Sequence, residues 1–238
     1  MKRLLMIIFT CMFIIIYGVE SQSMERKNIQ NRDDAVKFYE QKFGAIEFNN
    51  VEKEVDFDFS SAENLVDEDL IYINYFLDTG VIHLGGKKIT DQVFVNFKEL
   101  KNLRVLTFDG TKIMGEGVNY LTKLTQLERF IANETPFTDI GIKYLSEIKF
   151  EKLIEVQLHN TKITDEGLKY LSKIKLTGAL YLANTKITDE GLKYLANQKD
   201  LAEIDVRGTK VTKAGVQWLE KQLLNTGIEY GKFVPDKD

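Results

Sequence analysis

The sequence predicts an α/β solenoid, in which short strand–turn–helix units stack and their strands form one parallel sheet. Two observations lead to this prediction. The eleven residues 161–171 recur after 24 residues, at 185–195. Within each unit, apolar residues alternate as in a strand before the recurring segment and then follow helical spacing. One such unit cannot bury its apolar face alone, so we expect the copies to stack on one another.

Looser copies extend the repeat in both directions. Each copy has an isoleucine-like anchor, and the anchors are spaced by 24, 24, 26, 24 and 24 residues: Ile89, Ile113, Phe137, Ile163, Ile187 and Val211. A fainter copy lies upstream, where Phe57 and Phe59 alternate with acidic residues. We therefore count six clear repeats and one degenerate repeat. The spacing of 26 predicts two extra residues near Phe150-Glu151, in the return from helix to strand.

Each repeat is expected to contain a strand, a turn and a helix. Apolar pairs before each anchor predict the strands: Ile82 and Leu84, Leu106 and Phe108, Phe130 and Ala132, Val156 and Leu158, Leu180 and Leu182, and Ile204 and Val206. Thr164 and Thr188 are predicted helix N-caps, and the Asp after each puts negative charge in the first helical turn. A glycine recurs near the helix starts and indicates close packing there, at Gly117, Gly141, Gly167, Gly191 and Gly215.

The consensus Leu-x-Leu-x-x-Asn/Gly-Thr-x-Ile-Thr-Asp-x-Gly-Leu-x-x-Leu resembles the leucine-rich repeat, in the 24-residue variety of many exported bacterial proteins. It is also similar to the repeats of F-box-associated substrate receptors, although no F-box-like helical segment precedes it. The resemblance covers about residues 56–230 and implies a curved solenoid, with parallel strands on the concave face and helices on the convex face. The copy containing Gly110 and Met114-Gly115 departs from the pattern, which leaves its helix cap in doubt.

The repeat region, at 55–230, is expected to have a lid at each end. Residues 22–54 are expected to form a lead and a capping helix. The segment 31–44 predicts an amphipathic helix with Val36, Tyr39 and Phe43 on one stripe. Residues 227–230 predict a final edge strand, and residues 231–238 a loose polar tail.

The N-terminal segment 1–21 has the layout of a secretory signal peptide. Lys2 and Arg3 precede an uncharged run at 4–17, and small residues follow near Ser21. This run is shorter than the roughly 20 residues of a membrane-spanning helix. We therefore expect an exported protein, secreted or periplasmic. Two alternatives stay open: an uncleaved N-terminal anchor, which is the one way we expect the membrane to be involved, and lipidation of Cys11.

Composition excludes several functional classes. The 238 residues carry 32 basic and 36 acidic side chains, a net charge of −4, whereas nucleic-acid binding favours a basic surplus. A single Cys rules out a disulfide framework or a Cys-based zinc site. We expect no nucleic-acid partner, no cofactor and a monomeric chain.

No catalytic motif is recognisable in the sequence. The aspartates Asp91, Asp139, Asp165 and Asp189 recur in register, and helix capping accounts for them better than a calcium-binding ladder does. A neighbouring line of lysines is interpreted as a solvated edge rather than a polyanion-binding stripe: Lys88, Lys112, Lys162, Lys186 and Lys210. His83 and His159 lie three repeats apart on outward positions, too far apart to share a metal ion, and are interpreted as exposed surface histidines.

The side chains between the core positions of the strands are the candidates for function, because they should line the concave face and they differ between repeats. Isolated aromatic, aliphatic and Arg residues among polar neighbours are typical binding anchors. The predicted partner-binding residues are Arg129, Ile131, Gln157, His159, Tyr181, Asp205 and Arg207.

The sequence thus favours a non-enzymatic module that binds a protein partner, of identity still open, on its concave strand face. One alternative is a membrane-tethered structural or envelope protein with the solenoid as a spacer. A further alternative is a hydrolase or carbohydrate-binding protein that uses the concave carboxylates Asp109, Glu155 and Asp205.

Overall fold

The computed structural model describes residues 29–44, 46–49 and 54–233. The described residues fall into two compact units, and the division lies after Gly44. The signal peptide predicted at 1–21 and the start of the lead at 22–28 lie outside the described residues. Among the residues that are described, no helix has the length and apolar character needed to cross a membrane.

The described residues of the first unit, 29–44, form the helix α1 (Arg32–Phe43). The side chain of Asn31 caps its start by accepting a hydrogen bond from the backbone N–H of Asp34 at 3.0 Å. Gly44 ends it in the left-handed region, at φ 61°. The helix forms where the sequence predicts it, but its buried face differs from the predicted stripe. Tyr39 is buried as expected, together with Ala35 and Phe38, whereas Val36 and Phe43 stay half-exposed.

In the described part of the second unit, nine strands form one open sheet, and their spatial order is the order along the chain. The first two strands pair antiparallel, and every later pairing is parallel. This arrangement confirms the predicted solenoid, including the degenerate copy at Phe57 and Phe59 and the final strand. The strands are β1 (Ile46–Asn49), β2 (Glu54–Phe59), β3 (Thr79–Leu84), β4 (Val105–Thr107), β5 (Arg129–Ile131), β6 (Leu153–Gln157), β7 (Leu176–Tyr181), β8 (Glu203–Asp205) and β9 (Gly227–Glu229).

Helical segments connect these strands, and they change character along the chain. The first three are 3₁₀ helices: Asp67–Tyr75, Asp91–Asn96 and Glu116–Leu121. The last four are α-helices: α2 (Asp139–Leu145), α3 (Asp165–Leu171), α4 (Asp189–Leu195) and α5 (Lys213–Glu220). In the second 3₁₀ segment, the β-branched Val93 and Val95 weaken α-helix propensity.

Two buried columns run from repeat to repeat and contribute to the core between strands and helices. The column of Ile82, Leu106, Phe130, Val156, Leu180 and Ile204 follows the strand register and is fully buried. The anchors pack behind it: Ile89, Ile113, Phe137, Ile163 and Ile187 are likewise inaccessible to solvent. Near its middle, the rings of Phe108, Phe130 and Phe137 contact one another with centroids 5.2 to 5.8 Å apart.

The start of each typical helix is joined to the preceding repeat by a carboxylate. The hydroxyl of Thr188 caps its own helix by accepting from the N–H of Glu190 at 3.2 Å. Asp165, one repeat earlier, accepts from the Thr188 N–H and from its hydroxyl, both at 2.7 Å. Asp67, Asp139 and Asp189 bind Thr90, Thr164 and Thr212 in the same way. The aspartates therefore stabilise the start of the following helix as well as their own first turn.

The copy that departs from the consensus is capped from its neighbour. Gly115 stands at the N-cap with φ 108° and has no side chain to accept a hydrogen bond. Asp91 of the preceding repeat accepts instead from the backbone N–H groups of Met114, Gly115 and Gly117, each at 2.8 Å. In the next repeat Thr138 finds no carboxylate and bonds to the carbonyl oxygen of Met114.

The two extra residues of the fourth interval lie between α2 and β6. Ten positions separate Leu145 from Glu155, whereas eight separate the equivalent Leu171 from Ala179. The ladder between β6 and β7 is irregular between Leu153 and Glu155, after which the normal register resumes. The insertion is therefore absorbed in the return loop, as predicted.

Candidate functional site

The strand face is the side of the sheet opposite the helices, formed by the side chains that alternate with the buried columns. Its central row follows the hydrogen-bonded register through consecutive strands: His83, Thr107, Ile131, Gln157, Tyr181 and Asp205. Arg129 lies beside Ile131 on β5, while His159 and Arg207 follow β6 and β8 by two residues. The structure thus places the seven predicted site residues on neighbouring repeats of one face.

A ladder of side chains fixes the edge of this face where the strands end. Asp109 accepts the backbone N–H of Asn133 at 2.6 Å, and the Asn133 side chain accepts that of His159 at 2.9 Å. His159 continues the series, because its Nδ1 accepts the backbone N–H of Ala183 at 3.2 Å. Each of these side chains therefore completes the backbone hydrogen bonding of the repeat that follows.

Burial at this edge of the face shifts the pKa values of two ionisable groups. Burial raises the pKa of the Asp109 carboxyl above its usual value, although the hydrogen bond from Asn133 opposes that shift. Burial lowers the pKa of the His159 imidazole; the positive charge of Arg207 adds to this effect, and Asp205 opposes it. His159, expected from the sequence to be an exposed surface histidine, is half-buried. Its Nδ1 acts as an acceptor, which assigns the neutral ring's proton to Nε2.

Asp205 differs from the expectation of a solvent-facing side chain, because it is fully buried. Ala183 offers no side-chain acceptor to the next repeat, so the backbone N–H of Arg207 bonds to Asp205 Oδ1 at 2.9 Å. The Arg207 guanidinium then covers Asp205 with two further hydrogen bonds, at 3.0 and 2.8 Å. Glu229 binds the same guanidinium at 3.0 Å. Asp205 is therefore a support for Arg207 rather than a contact surface.

Tyr181 lies between the two halves of the cluster. Its hydroxyl donates to Glu203 at 3.0 Å, and its ring centroid lies 5.5 Å from that of His159. Burial and the neighbouring carboxylate raise the pKa of Tyr181 to about 12. The hydroxyl therefore stays protonated at physiological pH and serves as a fixed hydrogen-bond donor.

The other end of the cluster is more exposed. Arg129 forms an ion pair with Glu155 at 3.3 Å while more than half of its side chain stays accessible. Gln157 donates to Glu155 and accepts from the Asn133 side chain. Ile131 is half-exposed beside them. Arg129 and Ile131 are therefore the predicted residues best placed to meet a partner directly.

The described part of the C-terminal segment also reaches this face. The ring of Phe233 lies 5.8 Å from the His159 ring, and the Arg207 guanidinium lies 5.5 Å from the Phe233 ring. This residue was absent from the predicted set, because it lies beyond the repeats and has no periodic equivalent that would mark it.

The carboxylates named in the alternative enzyme hypothesis are engaged in structural contacts. Asp109 accepts a backbone N–H, Glu155 binds Arg129 and Gln157, and Asp205 is buried under Arg207. No group of three or more His, Cys, Asp or Glu suited to a metal ion occurs within residues 29–44, 46–49 and 54–233. In the turns between strands and helices, the line of lysines at 88, 112, 162, 186 and 210 is exposed.

Comparison with known proteins agrees with this geometry at the level of the repeat. The family model described as Leucine Rich repeat matches residues 179–196, which include the end of β7 and all of α4. No curated protein matches the chain. Among solved structures, internalin C2 from Listeria monocytogenes is similar at 17% identity and a TM-score of 0.49, over 82% of this chain and 91% of that one.

A second similar structure is internalin F from the same organism. It is 15% identical, with a TM-score of 0.42, over 79% of this chain. The similarity spans 63% of that longer protein, less than two thirds of its length.

Proposed function

We propose that this leucine-rich repeat protein is a non-enzymatic interaction module that binds a protein partner through its strand face. The observation that carries the proposal is the continuous cluster from Arg129 to Arg207, in which aromatic, aliphatic and Arg side chains lie among polar neighbours. Partners are commonly anchored by a few such residues. The proposed mode of action is recognition, and no reaction is assigned.

The cluster is held in place before any partner arrives. Arg207 is fixed by two carboxylates, Tyr181 by Glu203, and His159 by the backbone of the next repeat. Binding to such a surface orders few side chains and no repeat backbone, so less conformational entropy is lost on association. This pre-organisation favours a binding role for the face.

A protein partner fits the chemistry of this face better than a polyanion does. Glu155, Glu203 and Glu229 lie among its cations and bind Arg129, Tyr181 and Arg207 respectively. The chain as a whole carries a net charge of −4. A surface of interspersed charges with partly exposed apolar side chains is suited to a partner that offers both polar and apolar contacts.

The test is affinity capture from the native compartment with matched variants. A strand-face variant, Arg129→Ala with Tyr181→Ala, is compared with a helix-side control, Lys143→Ala with Tyr194→Ala. We expect the strand-face variant to recover a specific partner about tenfold less than the unaltered protein, and the control to recover it equally. Equal capture by both variants, or a loss confined to the helix-side control, would reject the proposal. Circular dichroism confirms that both variants are folded.

We further propose that the protein is exported, on the strength of the charged start and uncharged run within residues 1–21. N-terminal sequencing of the protein recovered outside the cytoplasm tests this. A mature chain that begins after Ser21 supports export with cleavage. An intact Met1 in a membrane fraction would instead support the tethered spacer.

A further inference from the structure

The row of side chains at the edge of the strand face contains one short member between His159 and Arg207, and we call the gap beside it the notch. The residue between them in the same row is Ala183, whereas the repeats before it carry Asp109, Asn133 and His159 at this position. A methyl group there leaves space that the longer side chains fill elsewhere. Ala183 is nevertheless 0% exposed, so other side chains shield it from solvent.

Phe233 of the same chain lies near both residues that form the walls of this notch, His159 and Arg207. Its ring centroid is 5.8 Å from the His159 ring on one side. The Arg207 guanidinium carbon lies 5.5 Å from the Phe233 ring centroid on the other, within the range of a cation–π contact. Phe233 is itself half-buried.

The backbone brings Phe233 to this place through two glycines. The N–H of Gly208 donates to the carbonyl oxygen of Gly231 at 2.7 Å, as the N–H of Asn184 donates to that of Arg207 one repeat earlier. Gly231 has φ 100°, a conformation in which a glycine is favoured. A side-chain carbon at Gly208 would lie 3.2 Å from Cβ of Phe233, so the glycine allows the segment to approach closely.

Both walls of the notch are fixed by contacts that do not involve Phe233. The His159 ring is oriented by the hydrogen bond from the N–H of Ala183, which is the floor of the notch. The ring of Tyr181 also lies near it, at a centroid distance of 5.5 Å. Arg207 is held by Asp205 and Glu229. The shape and charge of the notch therefore persist when Phe233 leaves.

We propose that the notch of His159, Ala183 and Arg207 is the pocket for an aromatic anchor on the strand face, and that Phe233 occupies it as an internal ligand. A partner that docks here does so with a Phe, Tyr or Trp side chain, because the walls offer a flat ring and a cation. The contacts of Phe233 with His159 and Arg207 are seen in the structure, whereas the role of a partner rests on the proposed function.

Occupation of the notch by Phe233 should weaken the binding of a partner. A partner's ring must displace Phe233, so the apparent affinity is reduced by the fraction of molecules in which the pocket is filled. Phe233 then acts as a competitive inhibitor built into the same chain. Removing the Phe233 ring opens the pocket and leaves the walls unchanged.

The test uses a labelled peptide with the sequence of residues 230–238, added to the full-length protein. We expect Phe233→Ala to bind this peptide at least about tenfold more tightly than the unaltered chain, by fluorescence anisotropy. A peptide with Ala in place of its Phe should not bind. Filling the notch with Ala183→Leu in the Phe233→Ala background should abolish binding, with folding checked by circular dichroism.

A second measurement follows the pocket without any added ligand. The ring resonances of His159 should shift in Phe233→Ala, because an aromatic neighbour is lost, and return toward their original positions as the peptide is added. The pocket hypothesis is overturned if these resonances stay unchanged, or if both protein forms bind the two peptides alike. Neither result depends on the strand-face capture experiment, so the two proposals fail separately.

Discussion

The carboxylate of Asp165 occupies the space that a side chain at Gly191 would take. A Cβ built on Gly191 would lie 2.3 Å from Asp165 Oδ1, the same atom that accepts the N–H of Thr188. Equivalent distances are 2.4 Å between Gly167 and Asp139 and 2.1 Å between Gly215 and Asp189. In α3, α4 and α5 the glycine and the aspartate one repeat earlier are therefore coupled, which explains why the two recur together there.

Removing the carboxylate should weaken the junction between two repeats. Asp165→Ala deletes two hydrogen bonds to Thr188, and we expect the free energy of unfolding to fall by about 1–3 kcal/mol. Chemical denaturation measures the change. The matched control is Glu190→Ala, which removes a surface ion pair with Lys193 and should alter stability by less than about 0.5 kcal/mol. Equal effects would show that the junction is not special.

Replacing Gly191 by alanine should change the stability in the direction opposite to the one that helix propensity predicts. Alanine is favoured over glycine in a helix interior by about 1 kcal/mol, but overpacking costs about 1–3 kcal/mol. Since Gly191 has no room for a methyl group, we expect Gly191→Ala to destabilise the protein.

In the Asp165→Ala background the oxygen that blocks this site is gone. The cost of Gly191→Ala should then shrink or change sign, and a double-mutant cycle by chemical denaturation measures the coupling. Simple additivity of the two changes would refute the proposed coupling.

One turn position carries backbone strain that can be relieved. Glu134 has φ 57°, in the left-handed region, where the next two repeats carry Asn160 and Asn184. Asparagine tolerates this conformation better than glutamate does. We expect Glu134→Asn to raise the free energy of unfolding by about 0.5–1 kcal/mol. The reverse change, Asn160→Glu, should lower it by a similar amount, and a stabilising effect of that variant would contradict the explanation.

Acidic pH should destabilise the protein partly through His159. Its folded-state pKa is lowered, chiefly by burial. A lowered folded-state pKa contributes stability that is fully present above the unfolded value of about 6.5 and is lost as the pH falls through the folded value. One repeat earlier, the side chain of Asn133 makes the equivalent contact by accepting the backbone N–H of His159. The variant His159→Asn should therefore keep a hydrogen-bond acceptor and lose the ionisable imidazole.

The measurement is the free energy of unfolding of both forms between about pH 7 and pH 5, a range that spans the ordinary histidine pKa. The unaltered protein should lose more stability than His159→Asn across this range. Parallel profiles would show that the imidazole does not contribute to the acid response.

The rows of the strand face were predictable because the repeat fixes them. With a spacing of 24, the residue opposite Tyr181 on the next strand is Asp205, and the ladder confirms that pairing. The caps at Thr164 and Thr188 were predictable for the same reason, since each lies before an Asp and a helical apolar pattern.

Features that depend on a departure from the repeat were harder to foresee. Asp205 is buried because Ala183, one repeat earlier, has no acceptor to offer, a relation that spans two repeats. The reach of Asp165 to Thr188 depends on the offset between stacked helices. Phe233 lies beyond the periodic region, and its contact with His159 depends on the path of the chain after Gly231.

The forward-reaching aspartate also has a consequence for the ancestry of the chain. Each standard repeat contains both residues of the contact between repeats. Its threonine donates to the aspartate of the preceding repeat, and its own aspartate, one residue later, accepts from the threonine of the following repeat. A duplicated repeat therefore already carries the residues that bond it to its neighbour. The identical stretches at 161–171 and 185–195 are what such copying would leave behind.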